Sequence, residues 1–501
     1  WLCSELSLVG PRNSLFSRFL QFFGTFSPGS VIEKVTSDGN LLVRSAVFQE
    51  FTLKISTASF VIIGLFVSFA HKKRDFVPTR TLINTNVLQS TTVKFIGFLI
   101  KIFAISIFGL MLATGLFGSE NPTENFSVIF VWIIWWVGFG LAIPIIGNFW
   151  ASINPVIIIF DAIHFVLSKN CVLNKRCNGF MHKYSCPQYS EFNFAPYPNI
   201  LKYWPIVFWF LLFAWIENSG YGASPGDLAR CAILYTAVSV IGMLVYGKNM
   251  WLSRGEVFNV YYNIMGSFGF LEFERDERGA LINIKIRPPV VGLLKLTTGS
   301  ISFVAFHIIL LATITFDGLS ETFIWYEIID IFVPIFGLTG LEFIGLIFMP
   351  VVFFLAYYLF SWIIYFVAGE MDLNKILTVF VFALTPIAIA YHIAHYFSYI
   401  VITGQMIVPL ISDPFGFGWN IFGTADYTTN IKIINAKVIW YLSVITIVLG
   451  HVFSILISHV KSTEFYSTRA LAAKSQYPMM VLMVFYTALS LWIIAQPLVQ
   501  N

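Results

Sequence analysis

Two histidines, one helical turn apart, are the clearest chemical signal in the sequence. They are His392 and His395, in the apolar stretch from Tyr391 to Tyr396. A spacing of three residues places both imidazoles on one face of a helix. Paired imidazoles can bind a transition metal or haem iron, relay protons, or hydrogen-bond to neighbouring helices. Since an ionisable side chain is costly inside a bilayer, its presence in an apolar segment indicates a functional site.

Two more histidines, His307 and His451, also lie within long apolar segments. The same cost of burying an ionisable group in lipid applies to them. A hydrogen bond to a neighbouring helix is the structural alternative to a metal, haem or proton role for each histidine.

Five carboxylates follow apolar segments at what the charge pattern predicts to be one side of the membrane. They are Glu217, Asp317, Glu321, Asp413 and Asp426. Together with the histidines they could complete a metal site, bind a cation or open a proton path. Helix capping and turn formation are the alternative, because Asp and Glu are common where loops begin.

Three cysteines and a histidine form a second candidate site in one polar connection. They are Cys171, Cys177, His182 and Cys186. Three thiolates and one imidazole can bind zinc, although the spacing departs from the usual closely spaced cysteine pair. In an oxidising compartment the same cysteines would form a disulfide, and free thiols are the third alternative. The chain has five cysteines, and an odd total argues against a complete disulfide framework.

Composition determines the class of protein. Of the 501 residues, 57% are hydrophobic and 11% are charged, whereas soluble domains carry roughly 25% charged residues. The net charge of +4 gives no indication of a nucleic-acid partner. The sequence also contains no phosphate-binding loop, nucleophile elbow, zinc-protease motif or dinucleotide fingerprint. We therefore expect a multi-pass protein of the cell (cytoplasmic or inner) membrane, with lipid as its main partner and other membrane subunits as further candidates.

Apolar runs long enough to cross the hydrocarbon recur along the chain, and they predict an all-α polytopic membrane protein with about ten transmembrane helices. The runs are 51–70, 93–117, 126–150, 201–217, 228–247, 297–316, 341–368, 376–403, 437–460 and 477–497. Lys and Arg concentrate in every odd-to-even connection, so these connections are predicted to be cytoplasmic and both termini extracytoplasmic.

These runs divide the chain into segments. The segments are an extracytoplasmic part (1–50), spans one to three (51–150), a cytoplasmic loop with an interfacial helix near 153–168 and the Cys/His cluster (151–200), spans four and five (201–247), a cytoplasmic insertion (248–296), and spans six to ten with an outer loop at 404–436 (297–501). Within the insertion, residues 270–275 and 281–286 alternate on either side of Gly279, which predicts a short β-hairpin.

From Pro144 to near the C-terminus, the chain resembles bacterial and archaeal membrane proteins labelled fenitrothion-hydrolase-like. The resembling pieces are Gly255-Glu256-Val257-Phe258, Arg287-Pro288-Pro289, Phe316-Asp317-Gly318-Leu319 with Trp325, Pro386 to Tyr399, Ser412 to Tyr427, and Tyr477 to Pro497. The family label implies hydrolysis of an organophosphorus ester. A metal-dependent hydrolase needs ligands and an activated water. If the outer loop folds over span eight, His392, His395, Asp317 and Asp413 would supply the ligands.

Three functions are compatible with the sequence. The first is a membrane-bound metal-dependent hydrolase, and the second is a subunit of a larger respiratory or oxidase-type membrane complex. The third is a proton-coupled transporter that uses the buried histidines. Transporters commonly show internal repeats and helices broken at matching positions, and neither is apparent in the sequence.

Overall fold

A computed structural model describes residues 79–173, 194–276 and 279–495. Most of these residues are helical. The helices are α1 (Thr85–Leu88), α2 (Thr91–Phe117), α3 (Phe126–Ile146), α4 (Trp150–Ile153), α5 (Pro155–Leu173), α6 (Trp204–Asn218), α7 (Pro225–Tyr246), α8 (Lys248–Arg254), α9 (Val257–Gly266), α10 (Val291–Lys295), α11 (Ile301–Ser320), α12 (Phe323–Phe336), α13 (Leu338–Ala368), α14 (Leu373–Ser412), α15 (Ala436–Phe465) and α16 (Arg469–Ala495). The strands are β1 (Arg80–Ile83), β2 (Leu271–Arg275) and β3 (Leu281–Ile286).

Eight helices in the described residues are long and apolar enough to cross a membrane, and they are α2, α3, α7, α11, α13, α14, α15 and α16. They confirm a multi-pass helical membrane protein. Helix α6 matches the predicted fourth span but has only 15 residues. The predicted span 51–70 and the segment 1–50 lie outside the described residues, so the count of ten spans and the placement of the termini stay predictions.

Several predicted boundaries change. The third span ends at Ile146 instead of continuing to Trp150, because Gly147 takes a φ of 129° that ends the helix. The connection predicted at 317–340 contains helix α12, whose Ile331 and Ile335 side chains are exposed. The last span begins at Arg469, before the predicted position 477.

Helix α14 forms the centre of the bundle and is the most buried of the eight long helices. It is not one regular helix, since 3₁₀ turns interrupt it at Val381–Leu384 and Thr403–Met406. The sequence did not reveal these interruptions. Helix α2 is the opposite case, because almost none of its apolar surface is buried by the rest of the chain. Such a surface is stable where lipid covers it.

The predicted β-hairpin is confirmed, and it gains a third strand. Strands β2 and β3 pair antiparallel, and β1 pairs antiparallel with the other edge of β3, with Arg80 opposite Ile286. Strand β1 has four residues and little sequence signal, so pattern reading missed it. The sheet joins two odd-to-even connections that lie far apart in the sequence.

Hydrogen bonds between the Lys- and Arg-rich connections show that these connections lie together at one end of the bundle, which we call the basic end. Arg275 Nη2 lies 2.6 Å from Ser152 Oγ, and Lys461 Nζ lies 2.7 Å from the Leu294 carbonyl oxygen. The Ser467 hydroxyl donates to the Glu370 carboxylate over 2.6 Å. The connections predicted to be cytoplasmic therefore lie on one side of the protein.

The remaining connections meet at the opposite end, which we call the acidic end. The Ser119 amide donates to the Phe415 carbonyl at 2.7 Å, and the Phe126 amide donates to the Pro414 carbonyl at 3.1 Å. These bonds fasten the connection between α2 and α3 to the loop that follows α14. Helix α11 ends at this end, and it carries Asp317 in its last turn.

Candidate functional site: a carboxylate cluster at the acidic end

Asp317 on α11 and His395 on α14 meet near the acidic end. Asp317 Oδ2 lies 2.7 Å from His395 Nε2, and it also accepts a hydrogen bond of 2.8 Å from the Tyr396 hydroxyl. Both members of the pair are largely buried, with 26% of the Asp317 side chain and 14% of the His395 side chain exposed. Charge-assisted contacts of this length are strong where water is limited.

The Tyr396 hydroxyl links Asp317 to a second carboxylate. It lies 3.4 Å from Glu217 Oε1 on α6, and the same oxygen accepts a 2.9 Å hydrogen bond from Trp136 Nε1 on α3. We call Trp136, Glu217, Asp317, His395 and Tyr396 the carboxylate cluster. Four helices contribute to it, so the cluster exists only in the assembled bundle.

The local conformation of α3 helps to build the cluster. Its central segment, Phe130–Gly138, is π-helical, which is uncommon and is frequent at functional sites. Trp132 in this segment donates to the Gly222 carbonyl at 2.9 Å, and Trp136 donates to Glu217. The wider turn therefore presents two indole N–H groups to acceptors that lie at the acidic end.

His392 occupies different surroundings from His395, although both lie on α14. Its buried imidazole packs edge-on against Trp136, with 5.8 Å between ring centroids, and it lies directly against Gly140. Within the described part of the chain, neither ring nitrogen of His392 makes a hydrogen bond, although the backbone of Val137 lies nearby. The two histidines therefore do not converge on one ligand position.

The other acids have separate roles. Both Asp413 oxygens accept backbone hydrogen bonds within their own loop, from the Phe417 amide at 3.0 Å and the Gly418 amide at 2.6 Å. Glu321 follows α11 and is half-buried near Asp317, whereas Asp426 is exposed. Asp413 thus does what the capping alternative predicts.

The His307 and His451 imidazoles each hydrogen-bond to a backbone carbonyl of their own helix. His307 Nδ1 lies 3.1 Å from the Phe303 carbonyl, and His451 Nδ1 lies 2.7 Å from the Ile447 carbonyl. For both side chains, Nε2 is buried and has no hydrogen-bond partner among the described residues. The structural alternative was a bond to a neighbouring helix, but each Nδ1 contacts the preceding turn of its own helix.

The four candidate metal ligands, His392, His395, Asp317 and Asp413, do not form one cluster in the described residues. His395 is paired with Asp317, His392 packs against Trp136, and Asp413 caps its loop. Across residues 79–173, 194–276 and 279–495, no three or more His, Cys, Asp or Glu side chains have a geometry that could hold a metal ion. A transition metal or haem bound by these histidines stays a prediction.

The predicted zinc cluster is not tested. Cys177, His182 and Cys186 lie outside the described residues, and Cys171 lies in the last turns of α5. Cys231 on α7 is a free, half-buried thiol. Zinc binding in this connection stays a prediction.

Sequence reasoning missed Tyr396, Trp136 and Gly140. Tyr396 directly follows His395, and Trp136 lies in an aromatic run, so both looked like ordinary membrane residues. The position of its hydroxyl next to a candidate histidine is the signal that could have placed Tyr396 among the candidate site residues.

The fold and the cluster define a multi-pass helical membrane protein with two carboxylates, a histidine and a tyrosine packed together near one end. No known protein family, curated protein or solved structure matches the chain.

Proposed function

We propose that the protein is a proton-coupled membrane transporter whose carboxylate cluster binds and releases protons at the acidic end. The observation that carries the proposal is the placement of Asp317 within hydrogen-bond distance of both His395 and Tyr396. Linked Asp, Glu and His side chains are typical of proton relays in membrane proteins.

The second carboxylate strengthens the case. Two carboxylates linked through one tyrosine hydroxyl repel each other when both are ionised, so a proton on one of them is favoured. Glu217 and Asp317 are linked in this way through Tyr396. Protonation of the cluster is therefore favoured, and the neighbouring imidazole can accept the proton.

The other two functions have less support. A metal-dependent hydrolase requires converging ligands, and the described residues do not bring them together. The exposed apolar faces of α2 and α13 would suit lipid and other subunits equally, so they do not favour a complex. Proton coupling is the function that uses the groups found in contact.

The test measures proton binding without requiring a known substrate. Proteoliposomes with the full chain are adsorbed on a solid-supported membrane, and the transient current is recorded after a pH jump. We expect a current in the wild type that is lost in Asp317→Asn. Asp426→Asn is the matched control, because this acid is exposed at the same end. A wild-type current no larger than that of protein-free vesicles would contradict the proposal.

A further inference from the structure

Helix α15 turns a row of polar side chains toward the inside of the bundle. The row consists of Ser443, His451, Ser454, Ser458, Lys461 and Ser462, all of which are buried. Their spacings follow the 3.6-residue period of a helix, so they share one face. A buried polar face on a membrane-spanning helix is costly unless other groups satisfy it or it serves a function.

From Ser443 to Ser454, the row faces helix α14 in antiparallel register. The Ser443 hydroxyl donates to the Ala394 carbonyl at 3.0 Å, and the Ser454 hydroxyl donates to the Ala383 carbonyl. Between them, Gly450 lies so close to Pro386 and Ala390 that a side chain would overlap them. We call this contact between α14 and α15 the polar seam.

The seam extends across most of the membrane. At a rise of about 1.5 Å per residue, the distance from Ser443 to Lys461 is about 27 Å, close to the roughly 30 Å thickness of the hydrocarbon. Its first residue bonds to Ala394, which directly precedes His395 of the carboxylate cluster. Near its other end, Lys461 donates to the Leu294 and Leu296 carbonyls at the basic end, at 2.7 Å and 3.3 Å.

Close packing explains the small residues of the seam but not all of its polar groups. Small residues let helices approach closely in membranes. However, His451 Nε2, Ser458 Oγ and Thr385 Oγ1 on α14 are buried without a hydrogen-bond partner in the described ranges. Thr385 directly follows the 3₁₀ turn that interrupts α14. Interrupted helices at membrane depth commonly mark ion and substrate paths in transporters.

Tyr391 connects the carboxylate cluster to the middle of the seam. Its ring stacks parallel to His395, with 6.2 Å between centroids, and it packs in one cluster with Ile447 of α15. The Ile447 carbonyl in turn binds His451. The buried Tyr391 hydroxyl has no hydrogen-bond partner within the described chain. The hydroxyl itself lies against Gly318 on α11, on the carboxylate-cluster side of the ring.

We propose that the polar seam carries protons between the carboxylate cluster and the basic end, with His451 as the proton-carrying residue midway. The proposal rests on the proposed proton coupling and adds the route. Because the Ile447 carbonyl can only accept, His451 Nδ1 carries the hydrogen and Nε2 holds a lone pair. Nε2 accepts a proton from the side of the carboxylate cluster, which makes the ring an imidazolium. When the ring turns away from the Ile447 carbonyl, Nε2 releases that proton toward the basic end, which restores the neutral ring.

The experiment compares two histidines that are alike apart from their position. His307 makes the same hydrogen bond to the preceding turn and also buries its Nε2, but it lies against the Phe303 and Phe382 rings. The full chain is placed in vesicles that contain a pH-sensitive dye, and proton uptake is driven by a potassium diffusion potential. We expect His451→Gln to slow uptake roughly a hundredfold, the size of effect typical of one positioned proton-transfer group. His307→Gln should leave the rate unchanged.

A second variant distinguishes a lost proton route from a misfolded protein. Ser458→Ala removes a hydroxyl that bonds to no described residue, so it should fold normally and still slow proton uptake. Uptake that is unchanged in both His451→Gln and Ser458→Ala would overturn the seam as the route. A wild type that takes up no more protons than protein-free vesicles would overturn it as well.

The two proposals fail in different ways. Absence of a pH-jump current in the wild type would contradict the proton site itself, and with it the proposed function. A normal pH-jump current in His451→Gln, together with normal proton uptake, would leave the carboxylate cluster in place and reject the seam. A normal pH-jump current with slow uptake is the result we expect.

Discussion

Gly140 on α3 lies directly against the His392 imidazole on α14, at a distance that leaves no room for a side chain at position 140. The imidazole is almost completely buried there and packs against Trp136 and Tyr396. The contact fixes the separation of α3 and α14, and therefore the position of the Trp136 indole relative to the carboxylate cluster.

We predict that Gly140→Ala destabilises the protein by about 1–3 kcal/mol, the usual cost of overpacking. The added methyl group must displace His392 or separate the two helices. Thermal unfolding in mild detergent measures the effect. Gly97→Ala on α2 is the control, since no described atom lies near its missing side chain. Equal stability of the two variants would show that α3 and α14 are not in close contact.

Tyr396→Phe should weaken the link between the two carboxylates. Without the hydroxyl, Asp317 loses one of its hydrogen bonds and its connection to Glu217. A hydrogen bond to a charged group contributes about 1.5–3 kcal/mol. Infrared difference spectra, recorded between acidic and neutral pH, should show a shifted carboxyl band. Tyr365→Phe, which changes an exposed tyrosine on α13, should leave the band in place. An unshifted band in Tyr396→Phe would show that the hydroxyl does not contact the carboxylates.

Strand β1 should form a disulfide with β3 when cysteines replace the paired residues Thr81 and Lys285. Opposite residues in antiparallel strands have α-carbons about 4.5–5.5 Å apart, and disulfides join residues whose α-carbons are about 4.4–6.8 Å apart. The control pair is Thr81→Cys with Glu274→Cys, because β3 lies between β1 and β2. Oxidation followed by gel mobility of a protease-nicked sample reads out the bond. Cross-linking of the control pair alone would refute the strand order.

A membrane-impermeant maleimide tests which side holds the basic end. Lys295→Cys, which places a cysteine at an exposed position of the basic end, should react with the maleimide in inside-out vesicles and stay protected in right-side-out vesicles. The chain's own cysteines are first replaced by serine to remove background labelling. The reverse labelling pattern would place the acidic end in the cytoplasm.

Stability should fall as pH rises from about 4.5 to 7, partly because of Glu256. This carboxylate caps α9 and accepts hydrogen bonds of 2.5 Å from the Tyr235 hydroxyl and the Asn259 amide. Burial raises the pKa of Glu256 from 4.5 to about 7. The folded state therefore holds the proton more tightly than the unfolded state in this window, and losing it costs up to about 3 kcal/mol.

Glu256→Gln should remove this part of the pH dependence when thermal unfolding is followed between pH 4.5 and 7.5. Glu274→Gln is the control, because hydrogen bonds from Lys285 and Asn283 lower the pKa of Glu274, so it titrates below this window. Identical pH dependence in Glu256→Gln and the wild type would show that Glu256 is ionised throughout.

The predictions that held depend on local patterns. An apolar run of bilayer length is a property of consecutive residues, so eight of the predicted spans appear as long apolar helices. The hairpin around Gly279 is equally local, because alternation and a turn define it. Strand β1 gave no such signal because it has only four residues. Helix α12 is apolar but has only 14 residues, which is too few to cross a bilayer.

The amino-acid sequence by itself determined that the chain is a multi-pass membrane protein with ionisable residues within its apolar segments. Only the tertiary structure decided which of those residues meet. Asp317 contacts His395 and Asp413 does not, because helix packing brings α11 beside α14 while the backbone of its own loop occupies the Asp413 carboxylate. Contacts between residues distant in the chain depend on how several helices pack together, and no local pattern of residues encodes that arrangement.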